Sequence, residues 1–159
     1  MIFPLRNHDE SLVWEFLCLA AHAEVLSAVQ NAPHLARYVV NWGRSGDFGF
    51  AACQENFLVG VIWARLFPEN EPGFGFVSAE IPEISLAVRQ EYRGRGIGRA
   101  LLQKMKAEAS LRYNSLSLSV RDDNIAALRL YQSAGFEKIA GSEVLNRAGG
   151  VSLVMQLDF

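Results

Sequence analysis

Apolar residues recur along the chain in two rhythms, and the switches between them mark its elements. From about Ser11 to Val29 the positions Val13, Phe16, Leu17, Ala20, Ala21 and Val25 return at helical spacing, which predicts one amphipathic helix. A short strand at Ile2 to Arg6 is expected before it. Pro33 suits the first turn of a second helix carrying Leu35, Tyr38 and Val39. Asn41 to Asp47, with two glycines, reads as a turn. Strand-like runs follow at Phe48 to Gln54 and Phe57 to Phe67, separated by the hairpin signal Glu55-Asn56. Pro68 to Ala79 holds two prolines and two glycines and reads as an irregular loop.

The second half is more regular. Glu83 to Val88 reads as a strand. Gly98 to Arg112 follows as a helix with Leu101, Leu102, Met105 and Ala109 on one face. Ser115 to Val120 alternates Leu116, Leu118 and Val120 with serines, the period of a strand. Asn124 to Ala134 reads as a helix closed by Gly135, and Phe136 to Ala140 and Val151 to Leu157 as the last strands. Strand, helix and strand from Glu83 to Val120 make a βαβ unit with parallel strands. With hairpins before it, the expected class is α/β (α+β), a mixed sheet flanked by helices in a single domain over residues 1–159.

Composition narrows the classes. A net charge of −2 does not suit a general nucleic-acid or anionic-membrane binder. Charged or polar residues interrupt every apolar stretch before it reaches spanning length, and MIFPLRNHDE lacks a signal-peptide core, so a cytoplasmic protein is expected. Cys18 and Cys53 are too few for a disulfide framework and read as small buried hydrophobes with free thiols. His8, His22 and His34 show no ligand spacing, so no metal is expected.

Positive charge is concentrated locally, at Arg89, Arg93, Arg95 and Arg99, around Arg93-Gly94-Arg95-Gly96-Ile97-Gly98. Glycines there let backbone N–H groups approach an anion, and the helix behind adds unpaired amides and the positive end of its dipole. The spacing fails the dinucleotide G-x-G-x-x-G pattern, and no Gly-Lys-Ser/Thr ending completes a Walker A loop. Arg93-x-x-Gly96-x-Gly98 resembles instead the acyl-CoA pyrophosphate motif, R/Q-x-x-G-x-G/A, of the GNAT superfamily of acetyltransferases. Asn124-Ile-Ala-Ala-Leu-Arg-Leu-Tyr131-Gln-Ser-Ala-Gly135-Phe136 resembles the family's second signature, N-x-x-A-x-x-L-Y-x-x-x-G-F. The resemblance covers residues 82–140 well and the first 45 loosely.

It implies the GNAT acyl-CoA N-acyltransferase fold, a mostly antiparallel mixed sheet whose central parallel strands splay to admit acetyl-CoA. Backbone at Leu86, Ala87 and Val88 would then bond the pantetheine arm. The amides of Gly94, Arg95, Gly96, Ile97, Gly98 and Arg99 would take the pyrophosphate, and Arg93 and Arg95 could pair with its oxygens. Asn124 would bond the pantetheine arm or cap its helix, both open readings. Tyr131, two helical turns further on, is the family's usual proton donor to the departing thiolate.

The implied reaction is direct attack of a primary amine on the thioester, without metal or acyl-enzyme. An alkyl amine with a pKa near 10.4 is neutral in only about one molecule in 2,500 at pH 7, a deficit of roughly 4.6 kcal/mol, so a base is expected. Glu83, ten residues before Arg93, is the candidate, with Glu80 the nearby alternative. Some relatives carry a glutamate on the following strand where this chain has Ser119. Two rival readings remain: a silent acyl-CoA sensor of the same fold, and an interaction protein using Phe74 and Phe76. Glu69, Glu71, Glu80 and Glu83 hint at a cationic acceptor whose identity stays open, and a homodimer is the commonest oligomer.

Overall fold

A computed structural model describes residues 1–146 and 149–159. They fall into two compact units, one of Met1–Arg65 with Ile84–Lys106, the other of Leu66–Glu83 with Ala107–Phe159.

In the first unit, strands β1 (Ile2–Pro4), β2 (Phe48–Gln54) and β3 (Phe57–Arg65) form an antiparallel meander, with Phe3 opposite Ala51 and Phe50 opposite Ile62. The expected hairpin forms, and Glu55 and Asn56 supply its left-handed corner at φ 49° and 69°. Between β1 and β2 run three helices, α1 (Glu10–Ala20), α2 (Leu26–Gln30) and α3 (Pro33–Ala36). The single helix expected from Ser11 to Val29 is therefore broken. Val13, Phe16 and Leu17 are buried, but the next core side chain is Val29, which lies off their helical stripe. The chain turns at His22 (φ 54°) to bring Val29 inward, and Val25, expected on the apolar face, is left 57% exposed.

Tyr38 and Val39 lie beyond the end of α3 yet are buried, because side chains pin that irregular segment. Arg65, at the end of β3, makes a bidentate pair with Asp47, Nε to Oδ1 at 3.0 Å and Nη2 to Oδ2 at 2.8 Å. Its Nη1 donates to the carbonyls of Arg37 (2.9 Å) and Val40 (2.8 Å), and Trp63 Nε1 donates to Tyr38 (3.1 Å). Both charges are almost fully buried, so the pair depends on these bonds to offset desolvation. The strand ends here, two residues short of the expected Phe67.

Strand β4 (Glu83–Val88) and helix α4 (Ile97–Ala109) complete this unit, except that Glu83 and the last residues of α4 belong to the other. Ile97, Leu101, Leu102 and Met105 are buried, each contributing about 1.5–3 kcal/mol. Leu101 and Ile97 pack over Gly60 of β3. The helix begins one residue before the expected Gly98 and stops at Ala109 rather than Arg112.

In the second unit β5 (Ser115–Arg121), α5 (Ile125–Ser133), β6 (Glu137–Lys138), β7 (Val144–Leu145) and β8 (Val151–Asp158) follow one another. Strand β8 pairs antiparallel with β5, β6 and β7. The parallel register of β4 with β5 consists of the pair Glu83 and Ser117. The strand expected from Phe136 to Ala140 is reduced to two residues, and Phe136 enters the core instead. Cys18 and Cys53 are half-buried free thiols. Among the described residues no helix is long and apolar enough to cross a membrane, and no group of three or more His, Cys, Asp or Glu could hold a metal ion.

Candidate active site

The candidate residues divide between the units. In the first, β4 delivers the chain to a 3-10 turn at Gln90–Tyr92 and then to the glycine turn. Ala87 is buried and Leu86 and Val88 are half-buried. Gly94 and Gly96 take φ values of 75° and 82°, which favour glycine, and among the described residues, their own chain neighbours apart, no atom lies within 4 Å of where their Cβ atoms would stand. The turn is thus open around both glycines. Behind it the first-turn amides of α4 have no intrahelical acceptor and sit at the positive end of a 13-residue helix. The side chain of Ile97 is part of the core, so only its backbone is available to a ligand.

The four arginines divide by role. Arg89 is structural: its N–H donates to Val59 O (2.9 Å), its Nε donates to Leu58 O (2.7 Å), and its Nη2 pairs with Glu15. Its guanidinium also lies 5.1 Å from the Phe16 ring. Arg93 Nε donates to Val88 O at 3.0 Å, which ties the turn back to the end of β4. A ligand bonding at Val88 therefore meets a carbonyl that already has one donor. Arg95 rests on the Tyr92 ring at 5.0 Å. Arg95 and Arg99 are both exposed.

In the second unit, Glu83 is 3% exposed, and its Oε1 accepts the Gly75 N–H at 2.8 Å. Gly75 comes from the expected loop, which presses onto β5. A Cβ at Gly75 would stand 2.5 Å from the Leu118 carbonyl carbon and 2.6 Å from the Ser119 nitrogen. No side chain larger than hydrogen fits while that amide reaches Glu83. Ser117 lies in register beside Glu83, and its N–H donates to Pro82 O at 3.1 Å. The alternative base, Glu80, is exposed and accepts from Ser78 Oγ at 3.0 Å. Burial and a fixed amide thus distinguish Glu83 from Glu80. Ser119 is half-buried. Of the loop aromatics, Phe74 is half-exposed at 50% and Phe76 is half-buried.

Tyr131 is 8% exposed, with its ring edge-on to Phe136 at 5.8 Å. Burial pushes its phenol up to about 12, so it remains a neutral hydrogen-bond donor at any working pH. Asn124 takes the capping role: its Oδ1 accepts the Ala127 N–H at 3.2 Å. Gly75 and Ser117 were not singled out from the sequence. A glycine between two phenylalanines, and serines repeating on alternate residues of a buried strand, were the available signals.

Known proteins share both the pattern and the fold. A 55-residue stretch, 35% of this chain, is 46% identical to the N-alpha-acetyltransferase RimI of Mycobacterium tuberculosis and spans 34% of that protein's length. The ribosomal-protein-alanine N-acetyltransferase of Brucella melitensis superposes over 100% of this chain and 99% of its own, with a TM-score of 0.75 and 24% identity. The yncA protein of Salmonella typhimurium, whose structure carries its cofactor acetyl-CoA, superposes over 99% of this chain and 92% of its own, with a TM-score of 0.72 and 20% identity. At these identities the structural likeness is one of fold: a mixed, mostly antiparallel sheet flanked by helices. The sequence match is broader than either motif and runs from residue 14 through Phe136, most of the chain. The chain belongs to the acetyltransferase (GNAT) family.

Proposed function

We propose that this protein is a single-domain, cytoplasmic N-acetyltransferase that moves the acetyl group of acetyl-CoA directly to a primary amine, the N-terminal α-amine of a polypeptide. The observation that carries the reading is the open glycine turn ahead of α4, an anion site within a chain of this family. Amides from Gly94 to Arg99 hold the pyrophosphate, Arg93 and Arg95 add charge, and backbone at Leu86 to Val88 together with Asn124 takes the pantetheine arm. Each hydrogen bond to the charged diphosphate contributes about 1.5–3 kcal/mol.

The acceptor class is supported by relatives that bear the names N-alpha-acetyltransferase and ribosomal-protein-alanine N-acetyltransferase. Proton supply agrees with it. An N-terminal amine with a pKa near 7.7–8.0 is neutral in roughly one molecule in ten at pH 7, a deficit of about 1.4 kcal/mol rather than the 4.6 of an alkyl amine. A single buried carboxylate, Glu83, suffices for that smaller demand.

In the reaction Glu83 takes the ammonium proton, the neutral amine nitrogen attacks the thioester carbonyl, a C–N bond forms, the C–S bond breaks, and the proton left on nitrogen passes to the departing sulfur. Tyr131 donates a hydrogen bond to the departing sulfur. Full transfer from a phenol near 12 to a thiolate near 8.5 would be uphill by about 3.5 pKa units, close to 5 kcal/mol, so stabilisation by the bond itself is its main contribution. The test is calorimetry with acetyl-CoA, followed by release of free thiol with a panel of amines that includes peptides beginning with alanine. Saturable binding and peptide-dependent thiol release are expected; no heat at millimolar acetyl-CoA would overturn the reading.

A further inference from the structure

The peptide between Val88 and Arg89, at the end of β4, has both of its polar groups bonded. Its N–H donates to Val59 O of β3 at 2.9 Å, and its carbonyl, Val88 O, accepts Arg93 Nε at 3.0 Å. A trans peptide points these groups in opposite directions, so Arg93 bonds on the edge of β4 away from β3. Ala87 O faces the other way, 3.4 Å from where a Cβ on Gly60 of β3 would stand. Between Val88 and Arg93 the chain makes its 3-10 turn, with Tyr92 N–H on Arg89 O at 2.9 Å and Arg93 N–H on Gln90 O at 3.2 Å. Gly94 and Gly96 follow, residues with the most backbone freedom to lose on ordering. At its far end the glycine segment joins α4 through Gly96 O, which accepts the Ala100 N–H at 3.0 Å. The segment is thus held by the helix on one side and by the Arg93 side chain on the other.

We propose that Arg93 is a positioning residue whose Nε–H, latched on Val88 O, holds the glycine turn in the shape that takes the donor's pyrophosphate. The inference rests on the reading of that turn as the acetyl-CoA site and gives Arg93 a larger part than its charge. The side chain is exposed, so its charge is screened by water and salt, whereas the latch acts through geometry. The atom that matters is the one at ε. Glutamine carries an uncharged N–H donor at that atom, and methionine carries a methyl group there. The pattern that Arg93 begins accepts arginine or glutamine, which share this donor and not the charge. Without the latch the two glycines let the turn leave its binding shape. The apparent Kd then rises by the factor by which the competent fraction falls.

The experiment measures Kd for acetyl-CoA by calorimetry, at low and high salt, in wild type, Arg93→Gln and Arg93→Met. Arg93→Gln should bind within about twofold of wild type and with the same dependence on salt. Arg93→Met should bind about fivefold more weakly, the equivalent of one hydrogen bond of about 1 kcal/mol. A crystal structure of Arg93→Gln should show the new amide donating to Val88 O. Equal losses in the two variants, with a flatter salt dependence, would make Arg93 a charge alone and overturn the latch. Wild-type affinity in Arg93→Met would overturn it as well. Both results leave the donor site in place, whereas a wild type that binds no acetyl-CoA removes site and latch together.

Discussion

The glycine turn of the first unit, the proposed anion site, is exposed and built from backbone, whereas the Glu83 and Tyr131 surroundings of the second are buried and built from side chains. The turn needs nothing beyond its own sequence. Two glycines with positive φ and the start of a helix present the amides, and all of it lies within a dozen residues. Glu83 owes its setting to Gly75, eight residues away in a loop, and to Ser117 on another strand. A site made of amides tolerates changes of side chain but not of backbone freedom. A site made of buried carboxylate and phenol fails through single atoms.

The largest expected effect lies on the buried side. Tyr131→Phe removes only the phenol oxygen and should lower kcat by about a hundredfold, the loss of a hydrogen bond to a charged sulfur worth up to about 3 kcal/mol, with acetyl-CoA affinity retained. Unchanged turnover would reduce Tyr131 to a packing residue beside Phe136. The same variant carries a stability signature. Because the folded pKa is about 12 against an unfolded value of 10.0, the folded state keeps its proton longer. Stability is unaffected below pH 10 and falls as pH rises from 10 to 12, by up to about 2.7 kcal/mol for two pKa units. Urea midpoints measured from pH 9 to 11.5 should show this slope in wild type and a shallower one in Tyr131→Phe.

On the exposed side, Gly96→Asp places a carboxylate where the pyrophosphate is proposed, on a residue with φ 82°. Loss of one charge-assisted hydrogen bond, about 2 kcal/mol, corresponds to roughly a 30-fold weaker Kd for acetyl-CoA by calorimetry. An unaltered Kd would show that the turn does not hold the donor. Gly75→Ala tests the contrast from the other unit. Its Cβ would meet backbone of Leu118 and Ser119 that cannot rotate away, and the strain should cost about 1–3 kcal/mol of stability in a urea melt. Acetyl-CoA affinity should stay close to wild type while turnover falls, the reverse of the Gly96→Asp pattern.

This contrast also explains what was legible in the sequence. The strand, turn and helix start from Glu83 to Gly98 could be read to within a residue, because glycine spacing, helical periodicity and the βαβ order are local signals, though the helix ends three residues before the expected Arg112. The α1 break at His22 was not legible, since Val25 fits the helical stripe and only the need to bury Val29 turns the chain. Nor was the Asp47–Arg65 pair, whose partners are eighteen residues apart and join a turn to a strand end. Glu83 could be named as a candidate from its spacing to Arg93. What separates it from Glu80 is burial under the Gly75 amide, which no window of sequence contains.

Asn124 combines a local role, legible from sequence, with a proposed ligand role, and the smallest expected effect separates the two. Its Oδ1 caps α5 through the Ala127 N–H, so Asn124→Ala should cost about 1 kcal/mol of stability. Aspartate keeps an oxygen for that cap but loses the amide NH2. Asn124→Asp should therefore melt like wild type while binding acetyl-CoA roughly fivefold more weakly, the loss of one neutral hydrogen bond worth about 1 kcal/mol. If both variants bind acetyl-CoA as wild type does, Asn124 is a cap alone. The pantetheine arm would then depend on backbone, and the donor side would be made of main-chain groups and arginines throughout.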